Sequence, residues 1–168
     1  YRVQTAYARA DRAIGNEEAA AADFAAAQAS LATMIALQPD QRALNALKAV
    51  GGETGDLSAL PGLLAAMETA MPEEKRTAAF YLGLAKEQAA VGNLVEASRL
   101  HGLGAAKLDA AARTAENLKW AEQLGKAARQ MQAAGKAEQA AGLLTEAKNL
   151  AATAFQAAPN IETLSVVA

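Results

Sequence analysis

Side chains able to grip a carboxylate recur along this chain at helical steps. Arg2, Thr5, Arg9 and Arg12 fall three or four residues apart near its start, and Arg42 with Asn45, then Lys86, then Arg129 with Glu122 and Gln132 follow at wider intervals. Guanidinium forks bind carboxylates bidentately, and an asparagine amide pairs with a peptide backbone, so this set offers recognition of an extended acidic peptide. Its charged members are six cations and one anion in a chain of formal net charge -2. Exposed helix charges are commonly just solvated, and Glu122 with Lys126 is an ordinary i,i+4 pair, so the set has meaning only where the fold gathers it on one surface.

Bond-making chemistry finds little support. His101 is the single histidine and there is no cysteine, which excludes a multi-histidine metal site, a thiolate nucleophile and a zinc ribbon. Ser98, His101 and Asp109 lack the glycine pattern of a nucleophile elbow. The stretch Gly51-Gly52-Glu53-Thr54-Gly55 precedes a helix, but it lacks a phosphate-binding loop's lysine and hydroxyl and has no strand before it, so it is expected to be a plain connector. Glu17-Glu18 and Glu73-Glu74 sit in first helical turns, where the helix dipole alone accounts for them. No enzyme, metal or cofactor is expected. A pI of about 5.5 gives no positive field for nucleic acid.

The elements that must position these side chains read as paired helices. Hydrophobic residues make up 52% of the 168-residue chain and aromatics only 4%, an alanine- and leucine-rich, helix-forming composition. Three turns share the same surroundings, at Gly15-Asn16, Gly92-Asn93 and Gly135-Lys136. Seven residues before each glycine stands Ala8, Ala85 or Ala128, five after it Ala20, Ala97 or Ala140, and twelve after it Ala27, Gly104 or Ala147. Such internal repetition marks a solenoid, whose units bury their apolar faces only against neighbours.

Eight helices in four hairpins are expected. The first runs over 2–14 with Val3, Tyr7, Ala10 and Ile14 as its packing stripe, and the second over 17–38, capped by Asn16 and stopped by Pro39. A third spans 41–50 behind Asp40, a loop covers 51–55, and a fourth opens at Asp56 or Ser58 and reaches Ala70. Pro72 heads a fifth that runs to Val91. The sixth follows Asn93, the seventh carries Leu118, Leu124, Ala128 and Met131 up to Gly135, and the eighth, with Ala140, Leu144, Ala147 and Ala151 on one face, ends near Pro159. Gly83, Gly102, Gly104 and Gly125 lie inside helices at a cost of about 1 kcal/mol each, which close helix crossing would offset.

This pattern resembles the tetratricopeptide repeat family. The residues that carry the likeness are Tyr7-Ala8, Gly15-Asn16, Ala20, Phe24 and Ala27 in the first unit, Tyr81, Leu84-Ala85, Gly92-Asn93, Ala97 and Gly104 in the third, and Leu124, Ala127-Ala128, Gly135, Ala140, Leu144 and Ala147 in the fourth. The second unit, roughly 40–71, lacks the small-residue spacing, the last two turn glycines stand 43 residues apart, and Trp120 lies ahead of the aligned position. A degenerate, lengthened relative is the expectation, with a HEAT-like or other hairpin array as the alternative. The resemblance implies an all-α, right-handed superhelix (α-solenoid) over 1–158, followed by an apolar tail at 159–168.

It also implies a bacterial-type scaffold for assembling larger complexes, holding a peptide or partner helix on the concave face lined by first helices. The peptide-binding residues are then Arg2, Arg9, Arg12, Arg42, Asn45, Lys86 and Arg129, similar in type to a carboxylate clamp. His101 takes the bulky core position held by Phe24 and Leu144 elsewhere. The competing class is a helical-bundle sensor domain of a membrane receptor with a small ligand between its helices, against which the closely spaced glycine turns count.

Ile161, Leu164, Val166 and Val167 make the tail apolar enough to support self-association. No stretch is expected to approach the length and apolarity of a membrane span, so the chain reads as soluble, cytoplasmic or periplasmic. A start at Tyr1 without methionine is expected of a processed fragment that has lost a signal peptide or anchor.

Overall fold

The computed structural model describes residues 1–157 and Pro159; the apolar tail inferred from the sequence lies, beyond Pro159, outside the described residues. Among the described residues the structure is helical, without strands: α1 (Arg2–Ala13), α2 (Glu17–Leu37), α3 (Gln41–Thr54), α4 (Leu60–Ala70), α5 (Ala78–Ala90), α6 (Leu94–Ala106), α7 (Ala110–Ala133) and α8 (Ala137–Ala157), with a single 3-10 turn at Glu73–Lys75. The chain divides into two compact units. The first comprises Tyr1–Arg76 and Gly83–Ser98, and the second Thr77–Leu82 and the residues from Arg99 onward.

The recurring turn has one geometry in all three places. Gly15, Gly92 and Gly135 adopt φ of +80, +78 and +76°, a left-handed conformation that costs a side-chain-bearing residue most. In each, the amide after the glycine reaches back five residues: Asn16 to the Asp11 carbonyl at 2.9 Å, Asn93 to Gln88 at 3.0 Å and Lys136 to Met131 at 2.8 Å. The bond satisfies a carbonyl at the end of the outgoing helix and aims the next one back along it. All nine small residues at the shared spacing are buried, as close packing of two antiparallel helices requires. Asn16 caps α2 by accepting from the Ala19 amide, while Asp40 and Asp109 cap α3 and α7 the same way.

In the first unit α1 packs on α2, α2 on α3 and α3 on α4. Ala8, Phe24, Ala27, Leu31, Ala46 and Val50 form one cluster, with Leu60, Leu63, Leu64 and Met67 buried from α4. In the second unit α7 and α8 form the long hairpin, with Trp120, Ala121, Leu124 and Ala128 facing Ala140, Ala147, Ala151 and Ala154. Arg113 of α7 closes the end of α6 by donating to the carbonyls of Ala105, Ala106 and Leu108.

Six expectations are corrected. The α1 stripe Val3, Tyr7, Ala10 and Ile14 faces solvent, and the buried residues are Thr5 and Ala8. Small size decides this, because Ala8 admits Phe24 and Leu31, and the Thr5 hydroxyl costs nothing to bury while it donates to the Tyr1 carbonyl at 2.9 Å. The supposed loop at 51–55 is instead the last turn of α3, ended by Gly55 at φ +74°. The fifth helix begins at Ala78, since Thr77 accepts from the Phe80 amide and offers a better start than Pro72, which heads only the 3-10 turn.

The remaining three corrections concern residues within helices. Of the four helix glycines, only Gly104 is a close crossing, where a Cβ would lie 2.8 Å from Leu82 Cγ and 3.2 Å from the Ala78 carbonyl; Gly83, Gly102 and Gly125 face open space. At 21 residues, α2 is long and apolar enough to cross a membrane by length and composition, although Ala20, Phe24, Ala27 and Leu31 along it are buried against neighbouring helices. Leu144, expected in the bulky core position of α8, is instead exposed, while Ala140, Ala147 and Ala151 of the same expected face are buried.

Candidate functional site: the first-helix face of unit one

Every residue of the expected recognition set except Thr5 is exposed. Within the first unit, ion pairs join the odd-numbered helices across their flanks. Arg9 of α1 donates from Nε to Glu53 Oε1 of α3 at 2.8 Å, and Arg12 reaches Glu53 Oε2 at 3.4 Å and its backbone carbonyl at 3.3 Å. Lys48 of α3 meets the Glu87 carboxylate of α5 at 2.9 Å. Long side chains thus bridge α1 to α3 and α3 to the second half of α5.

Glu53 and Glu87 were not singled out in the sequence. Glu53 reads as a connector residue unless α3 continues through Gly51 and Gly52, and a pairing across 41 or 44 positions leaves no local signal. The Arg12 guanidinium also lies over the Phe24 ring, 4.7 Å from its centroid, which holds the fork in place. Two guanidiniums share one carboxylate, so this corner keeps a net positive charge.

Arg42 and Lys86 have no carboxylate partner among the described residues. The Asn45 side-chain oxygen accepts from Gln41 at 3.0 Å. Among the described residues Arg2 donates to the adjacent Tyr1 hydroxyl, and that hydrogen bond, with the Tyr1 charge, raises its pKa. Arg129 belongs to the second unit, where Glu122 pairs with Lys126; that hydrogen bond and charge, with a smaller contribution from Arg129, hold the Glu122 carboxyl below its ordinary range.

A second feature of unit one is a cleft of about 290 Å³ between α2, α3 and the α3–α4 connection, floored by Leu31, Ile35 and Leu47. Its polar mouth is already satisfied. Asp56 accepts from the Ser58 amide at 2.9 Å and from Gln28 at 3.1 Å, and the Ser58 bonds chiefly hold its carboxyl below the ordinary value.

His101 is a core residue of the second unit, 3% exposed and stacked on Trp120 at 4.9 Å between ring centroids and 10° between planes. Burial pushes its pKa below the ordinary 6.5, against the opposing pull of the Glu116 carboxylate, a backbone hydrogen bond to Glu116 and the Glu146 charge. A depressed histidine favours folding above its unfolded value, and that contribution is lost as pH falls through the folded one. Acidification below about 6.5 is therefore expected to lower the melting temperature of the protein more than that of a His101→Phe variant. Trp120 is the sole tryptophan, so its emission, followed against pH, reports this titration directly.

Among the described residues no group of three or more histidine, aspartate or glutamate side chains is placed to hold a metal ion. No family model matches the chain, and neither a curated protein nor a solved structure shows significant similarity to it.

Proposed function

We propose that this protein is an interaction scaffold that holds an acidic, extended peptide segment on the first-helix face of unit one, in support of assembling a larger complex. The reading carries forward the likeness to tetratricopeptide hairpins, in which adjacent first helices make the guest surface. The observation that supports it is the uneven charge of the ion-pair ladder: Arg9 and Arg12 share Glu53, while Arg42 and Lys86 are exposed and have no acid partner among the described residues. A guest carboxylate entering beside Glu53 would meet two guanidinium forks, and the exposed Asn45 amide would pair with guest backbone. No bond is made or broken; affinity comes from charge-assisted hydrogen bonds and main-chain pairing.

Binding of a labelled acid-rich peptide with a free C-terminal carboxylate tests this. Affinity is expected to fall as salt rises, because exposed charges are screened over about 8 Å at physiological ionic strength. Arg9→Glu with Arg12→Glu should weaken binding roughly tenfold to a hundredfold, since hydrogen bonds to charged groups contribute about 1.5–3 kcal/mol. Arg9→Gln with Arg12→Gln should do so without setting like charges against Glu53. Both variants keep the fold, exposed ion pairs being worth at most about 1 kcal/mol. Unchanged affinity in the folded double variants would remove the proposal.

A further inference from the structure

The apolar stripe that α1 turns to solvent has the geometry of a helix-pairing seam. Val3, Tyr7 and Ile14 are 65%, 62% and 78% exposed, and Ala10 completes the row. Their spacing of four, three and four residues is the alternation of a heptad seam. At 100° per residue the row occupies a sector of about 60°, roughly 120° round the helix from Arg2 and Arg9. It is therefore a surface separate from the peptide face.

We infer that this stripe is a dimer seam, and that its occupant is α1 of a second copy of the chain, packed antiparallel. The row is self-complementary about a two-fold axis between Ala8 and Arg9. Antiparallel pairing seats Val3 against Ile14 of the partner subunit and Tyr7 against Ala10 of the partner subunit, so that medium side chains meet in the outer layers and a large one meets a small one in the inner layers. An isologous contact demands this reciprocity of every layer.

The flanks agree with the same pairing. Ala6 and Ala13 line one side and allow the helices to approach closely. Gln4 and Asp11 line the other, which brings the Gln4 amide beside Asp11 of the partner subunit. The Gln4 carbonyl already accepts from Ser30 at 3.4 Å, leaving its N–H groups as the donors for that carboxylate. No like charges are opposed across the seam.

One 12-residue helix face covers less than the roughly 800 Å² per partner of a standard stable interface, so the dimer is weak, with a dissociation constant expected in the range of about 0.1–1 mM. Sedimentation equilibrium of the whole protein from micromolar to millimolar concentration measures it. Ile14→Glu should weaken association at least tenfold. Adding Val3→Lys in the facing layer to Ile14→Glu should restore it, because each new glutamate then meets a new lysine across the axis.

Val95→Glu, at an equally exposed apolar position on α6, should leave association unchanged. Circular dichroism confirms that each variant is folded. A wild-type protein that stays monomeric at millimolar concentration overturns the proposal, as does a double variant that remains as weak as Ile14→Glu, or a Val95→Glu change equal in effect to it. Monomer that partitions onto phosphatidylserine vesicles through the same residues would reassign the stripe to a membrane surface and equally overturn it. Peptide binding is read separately, so failure here leaves the first-helix face standing.

Discussion

Gly51→Ala is expected to destabilise the protein by about 2 kcal/mol, the reverse of what a helix-interior glycine-to-alanine change normally does. A Cβ at this position would lie 2.7 Å from the Asp56 carbonyl oxygen and against the Leu57 side chain. Leu57 can turn aside, but the backbone oxygen has little room. It belongs to a connection held by the Gly55 amide donating to the Gly51 carbonyl at 2.7 Å and by the Asp56–Ser58 bond. The connection must swing out, and α4, with its four buried side chains, is joined to that connection.

Gly52→Ala is the internal control. Nothing lies within 4 Å of its added Cβ, so it should stabilise by roughly 0.5–1 kcal/mol through helix propensity and a less flexible unfolded chain. Urea denaturation midpoints of the two variants against wild type decide the matter. Equal stabilisation by both would show that α3 and the connection do not approach as described. Because Glu53 rides on the same turn, Gly51→Ala should also loosen the Arg9 and Arg12 clamp and weaken acidic-peptide binding.

Trp120→Ala should cost about 3–5 kcal/mol, the range for emptying a large buried aromatic site. Trp120 is 5% exposed in the hairpin of α7 and α8, and most other buried contributions in that hairpin come from alanines, which are too small to collapse into the space left behind. The loss is large against the 5–15 kcal/mol that typically separates folded from unfolded states. Removing the indole also strips His101 of its stacking partner. Trp120→Phe keeps a ring against the imidazole and should cost only about 1–2 kcal/mol. Thermal unfolding followed by circular dichroism, which does not need the tryptophan signal, reads both. A Trp120→Ala variant within about 1 kcal/mol of wild type would mean that the indole is not the anchor of its unit.

Local chemistry was legible and long-range chemistry was not. The turn glycines could be recognised because a left-handed residue has few substitutes, and the alanines around them because close helix approach admits little else. Eight helices and their order followed from those signals. The packing face of α1 did not, since two stripes of equal periodicity lie on it and apolarity favours the wrong one. Thr5 and Ala8 win through size and a hydroxyl satisfied within its own helix, neither of which hydropathy registers. The end of α3 was misplaced because two adjacent glycines look like a loop, whereas Gly51 is a helical residue kept small by the chain that passes it.

The cations of the proposed peptide face stand out by residue type and helical step. What could not be foreseen is that Arg9 and Arg12 converge on one carboxylate, or that Lys48 and Glu87 tie α3 to α5, because these partners are brought together only by packing. Those contacts turn a scatter of cations into a surface with an uneven charge distribution.

The most direct test of that surface is an NMR titration of the isotope-labelled protein with the acid-rich peptide. Expected are salt-sensitive shifts of the Arg9 and Arg12 side-chain Nε signals and of the Arg42, Asn45 and Lys86 amides. The cleft beside Ile35 and the indole of Trp120 should stay still. Saturating shifts confined to that cleft or to α7 and α8, or no shifts at low salt, would contradict a peptide-binding first-helix face.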